Sequence, residues 1–329
     1  MLSRVAESIY WLSRYIERAE NVARVVQVNL NMMLEAGEDP QQWWPLVNTT
    51  GDHEDFKKRF GEANQHNVIQ FLTFDPANPN SIISCLRAAR ENGRSVREII
   101  SSEMWLQLNK FYLMVNEAAA RHRIDSPNEF YSEIKLASHL FAGITDATMS
   151  HGEAWHFSRL GRKLERADKT SRLLDVKYFI LLRSVADVGT PMDDTQWASV
   201  LRSVSAFEMY RKRHGRISPK GIVQFLLLDQ EFPRAVHFCF NAARESLRAI
   251  SGTQAGSTLN SAEECIRKLC SDFSNAQVDG IVSSGLHEYL DDLQTRMNLL
   301  GVGIHQTFFA KRIPESGKDP HGQRGQCAA

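Results

Sequence analysis

The 329-residue chain has few chain breakers. Its 19 glycines and 10 prolines amount to less than a tenth of its length, against an ordinary share of about 12%. Such a chain favours long helices over many short strands and turns. Cysteine is also scarce. Cys85, Cys239, Cys265, Cys270 and Cys327 form an odd set without C-x-x-C spacing, which argues against a disulfide framework and a thiolate zinc site. No apolar run approaches the roughly 18 residues of a membrane span; FILL at 179–182 is the most tempting stretch. Net charge is absent: 39 Lys and Arg balance 39 Asp and Glu, so no general basic field exists for nucleic acid or an anionic membrane. Arg4, Glu7, Arg14, Glu17 and Arg18 interrupt any leader-like apolar stretch in the first twenty residues. The expectation is a cytoplasmic protein with neither nucleic acid nor membrane as partner. G-x-G-x-x-G, Walker A and G-x-S-x-G patterns do not occur.

What is present is helical periodicity. Val5, Ile9, Leu12, Ile16, Ala19, Ala23, Val26 and Leu30 recur in steps of three and four. That stripe predicts a helix of about 30 residues, ending near Gly37 and Pro40. Residues 66–74 read as a short buried helix, with a strand as the alternative. DPANPNS at 75–81 is a turn whose Asn80 or Ser81 can cap the next helix. Helices are predicted at 82–100, 102–120 and 129–148, with a loop at 123–129.

The second half resembles the first. LSRYIERAENVAR (12–24) and LGRKLERADKTSR (160–172) match at a separation of 148 residues. VIQFLTFDPANP (68–79) matches IVQFLLLDQEFP (222–233) at a separation of 154, which also aligns Cys85 with Cys239 and Trp43 with Trp197. Three matches in the same order predict an internal duplication. The expected fold is all-α, a duplicated multi-helix domain of pseudo-twofold related halves, 1–148 and 149–312. Residues 313–329 read as a flexible polar tail carrying Cys327.

Two charged constellations stand out. Glu7, Tyr10, Arg14, Glu17, Arg18 and Asn21 lie opposite the apolar stripe of the first helix; Arg162, Glu165 and Arg166 hold that face in the second copy. The plain interpretation is a solvated face laced with ion pairs. Solvated positions, however, are free to diverge, whereas Arg14/Arg162, Glu17/Glu165, Arg18/Arg166 and Arg24/Arg172 are identical in type. The face is therefore expected to meet the other repeat, a ligand or a partner. Buried charges must be paired, so crossing helices with reciprocal Glu-Arg pairs are the leading structural expectation. The second constellation is Arg87, Arg90, Arg94 and Arg97 on one helical face, echoed by Arg244 and Arg248. Arginine forks suit carboxylates and phosphates. Asp75 and Asp229, at matching turns, could pair with these arginines or cap their own turns.

Metal chemistry is poorly supported. Glu153-x-x-His156 has the spacing of a di-iron bundle, but Val5 and Ser8 occupy the matching places in the first half. Neither a metal nor a cofactor is expected. Cys85 and Cys239, in apolar helical stretches, read as buried core thiols.

The Glu17-Arg18-Ala19-Glu20 and Glu165-Arg166-Ala167-Asp168 segments, with the opening Met1 to Glu20, resemble the bacterial Alpha-E proteins up to about residue 312. That family is all-helical and named for its Glu-Arg motif. Its members are typically encoded or fused beside circularly permuted ATP-grasp proteins. The resemblance implies a pathway of ATP-dependent peptide or amide-bond formation. Three functions follow as expectations. The chain is a partner or substrate-presenting protein for the ATP-grasp protein, meeting an acidic peptide or a phosphorylated intermediate. Alternatively it is an enzyme of that pathway, with Glu17 or Glu165 as catalytic base beside arginines holding a carboxylate or phosphate. The third is a purely structural helical protein. A Glu facing arginines has a lowered pKa and is a poor base near neutrality, which favours binding over catalysis.

Overall fold

The computed structural model describes residues 1–36, 42–121, 124–180, 191–253 and 257–310. The end of the first helix near Gly37 and Pro40, part of the 123–129 loop and the 313–329 tail lie outside these residues. The described residues contain helices and no strand. In chain order the helices are α1 (Ser3–Ala36), α2 (Trp44–Thr50), α3 (His53–Phe60), α4 (Gln65–Ile69), α5 (Ile82–Ser95), α6 (Ser102–Arg121) and α7 (Pro127–Thr148). They continue with α8 (Glu153–Ile180), α9 (Pro191–Ser203), α10 (Phe207–His214), α11 (Pro219–Leu228), α12 (Val236–Ser251), α13 (Ser261–Asn275), α14 (Val278–Ser283) and α15 (Leu286–Ile304). Two π-turns, Gln70–Phe74 and His305–Phe309, follow α4 and α15. The 66–74 segment is thus α-helix running into a π-turn, closed by Asp75 N–H donating to Gln70 C=O at 2.9 Å.

The helix expected over 82–100 ends at Ser95. Gly93 lies in the last turn, and its C=O accepts from Val96 N–H at 3.3 Å. Val96 and Ile100 are buried in the corner that follows, and their burial outweighs the local preference to continue the helix. Ser81 caps the start of α5, its hydroxyl accepting from Ser84 N–H.

Helix α1 is the axle of the fold. All eight residues of its apolar stripe are buried, and it packs against α5, α7, α8, α9 and the second π-turn. Its charged face is not solvated: Tyr10, Glu17 and Asn21 are also buried. That face lies against α8. Ser13 and Ser158 hydroxyls meet at 2.8 Å, 145 residues apart in sequence, whereas Arg18 and Glu165 are 147 apart and Arg14 and Glu165 are 151 apart. A nearly constant separation means the two helices run parallel. Gly161 permits the approach, because a Cβ there would overlap the carbonyl oxygen of Tyr10.

Several local arrangements recur at a separation of 154 residues. Helix α3 ends before Gly61 at φ +73°, and α10 before Gly215 at φ +69°. Phe56 stacks on Phe60 and meets Phe71 edge-on; Tyr210 stacks on His214 and meets Phe225 edge-on. The thiol of Cys85 reaches Pro79 C=O at 3.7 Å, and that of Cys239 reaches Pro233 C=O at 3.5 Å. Both thiols are buried.

Candidate functional site

The site is built on the α1–α8 seam. Arg166 grips the Glu17 carboxylate through Nε and Nη2, each at 2.7 Å. Reciprocally, Arg18 grips Glu165 through Nε at 2.6 Å and Nη2 at 3.1 Å. Arg14 Nε adds a bond to Glu165 at 2.8 Å. Glu17 and Glu165 are 2% and 0% exposed, so these charges persist only through their partners. A further layer lies along the helices. Glu20 accepts from Arg234 Nη2 at 2.9 Å and pairs with Arg24. Asp168 accepts from Arg172 Nε at 3.0 Å.

Electrostatics follow this geometry. Burial alone would raise every carboxylate, but adjacent cations overcome it. Arg166 and Arg234 hold Glu17 below the ordinary carboxylate value, and Arg14, Arg18 and Lys169 hold Glu165 far below it. Glu20 and Asp168 are lowered in the same way by Arg234 with Arg24 and by Lys169 with Arg172. Four ionised carboxylates, fully engaged as acceptors, make poor bases and a stiff frame.

Residues 1–309 match the model of the Alpha-E family, described as a predicted alpha-helical domain with a conserved ER motif. The chain belongs to the Alpha-E family. An uncharacterized protein of Mycobacterium bovis is 22% identical over 280 residues, covering 77% of this chain and 30% of that protein. Uncharacterized proteins of Mycobacterium tuberculosis, strains CDC 1551 and H37Rv, match with the same identity and coverage. The chain therefore spans about 30% of the length of these relatives. No solved structure matches. In this Alpha-E chain, Glu17-Arg18 and Glu165-Arg166 are the dipeptides that exchange bonds across the seam.

The other predicted residues scatter. Asp75 and Asp229 do not pair with the arginines of the helices after them. Asp75 pairs with Arg59 at 2.7 Å, and Asp229 with Arg213, one helix earlier in each case. The reason is local: each Asp also caps its own turn, Asp75 accepting from Ala77 N–H and Asp229 from Glu231 and Phe232 N–H. This orients each carboxylate away from the following helix. Arg90 bonds Asn109 at 2.7 Å and lies over Trp105 and Tyr112, while Arg94 pairs with Glu91. Arg90 serves the α5–α6 contact and Arg94 pairs within α5; neither joins the seam. Arg244 is half-buried and Arg248 exposed, and neither forms an ion pair among the described residues. Arg162 faces the seam, but its Nε is sealed from solvent without a hydrogen-bond partner, and burial lowers its pKa.

Several contributors escaped the sequence reading. Arg234 stands 154 residues after Asn80, where a matching residue type would have been the only signal. Arg59 and Arg213, also 154 apart, lie in segments without an obvious motif. Ser205 takes φ +52°, 154 residues after Gly51 at φ +81°, and its hydroxyl accepts from Arg24. Lys163 buries its amine over the Phe238 ring, 4.5 Å from the centroid, and burial pulls its pKa down to about 8. Among the described residues no group of three or more His, Cys, Asp or Glu is placed to hold a metal ion. No described helix is long and apolar enough to cross a membrane.

Proposed function

We propose that this Alpha-E chain is a helical partner or substrate-presenting protein in an ATP-grasp-associated pathway that forms peptide or amide bonds. The observation that carries this reading is the saturation of Glu17 and Glu165. Each is buried, bidentately held by arginine and kept ionised, which suits a rigid scaffold better than proton transfer at carbon or nitrogen. The reading also takes the halves 1–148 and 149–312 as two copies of one unit. The matched Arg59–Asp75 and Arg213–Asp229 pairs support this. The partner is a circularly permuted ATP-grasp protein, and the pathway location is cytoplasmic.

Exposed leucines supply a docking surface that the buried seam cannot. Leu106 and Leu113 on α6 and Leu136 and Leu140 on α7 are all at least 44% exposed. The test is reciprocal co-purification of this chain with a circularly permuted ATP-grasp protein of the same organism. Retention on both columns, lost when Leu136 and Leu140 become Asp, is the expected result. Absence of retention in both directions would leave the purely structural reading.

A further inference from the structure

Two clefts flank the α1–α8 seam, one on each side. The first is bounded by Ser158 and Arg162 of α8, Ile16 of α1, and Ser138, His139 and Ala142 of α7. Its cavity volume is only about 30 Å³. His139 closes it by reaching Glu20 at 3.5 Å. The second is bounded by Tyr10, Trp11 and Arg14 of α1, Asp168 of α8, and α15 with its π-turn. Its cavity volume is about 390 Å³, the size of a small-ligand site. Arg14 and Arg162 occupy corresponding places in these clefts, 148 residues apart.

We propose that the open cleft binds the C-terminal carboxylate end of a short peptide. Charge is the first reason. Arg14, Arg18, Lys169 and Arg172 share two carboxylates, Glu165 and Asp168, so this side of the seam carries an excess of positive charge. Of these cations Arg14 lines the cleft. Its Nε is committed to Glu165 and its Nη1 to the Tyr10 hydroxyl at 3.2 Å, which leaves Nη2 for a ligand. The guanidinium is already fixed over the Trp11 ring, 4.9 Å from the centroid. A donor immobilised before binding loses little entropy when it binds.

The remaining walls narrow the ligand class. One arginine edge suits a monoanion. The Asp168 carboxylate, also in the wall, disfavours a phosphate dianion. Asn298 and Gln306 offer amide groups matched to a peptide backbone, whereas Trp11, Met297 and Phe309 present apolar and aromatic surface for a side chain. The π-turn that shapes this wall is a geometry that recurs at functional sites. This site is independent of the partner role, since it concerns the purified chain alone.

The experiment is isothermal titration of the chain with acetyl-Ala-Ala-Phe bearing a free carboxylate, with the same peptide as its C-terminal amide, and with free phenylalanine. The free acid is expected to bind at least tenfold more tightly than the amide and than phenylalanine. Gly301→Leu is the blocking variant: a Cβ at Gly301, which lines the cleft, meets nothing within 4 Å. It is expected to lose at least tenfold in affinity at an unchanged melting temperature. Arg14→Gln is expected to abolish the preference for acid over amide. No saturable binding of the free acid, equal binding of acid and amide, equally tight binding of phenylalanine, or undiminished binding by Gly301→Leu would each overturn the assignment.

Discussion

Asn80 and Arg234, 154 residues apart in sequence, carry opposite burdens in the seam. Asn80 Oδ1 accepts from Arg18 at 2.9 Å while its amide donates to Asp52 at 3.0 Å. Arg234 instead inserts a buried charge that donates to Glu17 at 3.1 Å and to Glu20 at 2.9 Å. The Glu17 side is thus braced by three arginines, Arg166, Arg234 and Arg24 through Glu20. The Glu165 side is braced by Arg14, Arg18 and Lys169, with Asn80 where the other side has Arg234, and it lies beside the open cleft.

Glu17→Gln removes the charge that holds Arg166 and Arg234 while keeping side-chain shape. The expected loss is about 3–5 kcal/mol, because Arg166 loses its only carboxylate partner while Arg234 is left with Glu20 alone. Urea unfolding followed by circular dichroism measures it. Arg162→Met is the contrast. It deletes a guanidinium whose Nε has no partner, so stability is expected to hold or rise.

Acid should open the seam. Glu17, Glu20 and Glu165 sit below their ordinary value of 4.5, and Asp168 below 3.8. A depressed acid contributes stability that is complete above its unfolded pKa and drains as pH falls toward its folded pKa. The melting temperature is therefore expected to be flat in this respect above about pH 5 and to drop steeply below pH 4.5. Glu17→Gln should flatten that slope.

Lys163 costs stability at neutral pH where those carboxylates contribute it, although both make stability rise with pH. Its pKa falls from 10.5 to about 8 on burial. Between these values the unfolded chain binds the proton more readily, so stability rises with pH from about 8 to 10.5. At pH 7 the buried charge costs up to about 3 kcal/mol, at roughly 1.36 kcal/mol per pKa unit. Lys163→Met is expected to stabilise at pH 7, with the gain fading by pH 10.5. Thermal melts at both pH values check the sign.

Gly161→Ala tests the parallel contact. Alanine is the better helix former by about 1 kcal/mol, but its Cβ overlaps Tyr10 C=O. A net loss of about 1–3 kcal/mol is expected from this overpacking, measurable by urea unfolding. A gain instead would mean that α1 and α8 can move apart freely.

The helices were legible because the period of the apolar residues is a direct image of burial: Val5 through Leu30 read as one stripe and are buried as one. The charged face was legible only as a repeated pattern. Nothing local distinguishes Glu17 in a seam from a glutamate in water; its identity with Glu165 carried the hint. Arg234 was illegible because its partners Glu17 and Glu20 lie more than 210 residues away, and Arg59 and Arg213 because they lie in segments without an obvious motif. The end of α5 at Ser95 was missed because it is set by packing of Val96 and Ile100. The clefts were invisible, since their difference in size rests on how α7 and α15 lie against the seam.

The parallel run of α1 and α8 has a consequence during synthesis. Residues that grip one another are 147 to 151 positions apart, so α1 leaves the ribosome long before its counter-charges exist. At roughly 5–20 residues per second, that interval lasts about 7–30 s. Throughout it Glu17 lacks Arg166 and Arg18 lacks Glu165, so α1 can settle on α5 and α7 while its Glu-Arg face stays incomplete until the second Glu-Arg helix arrives.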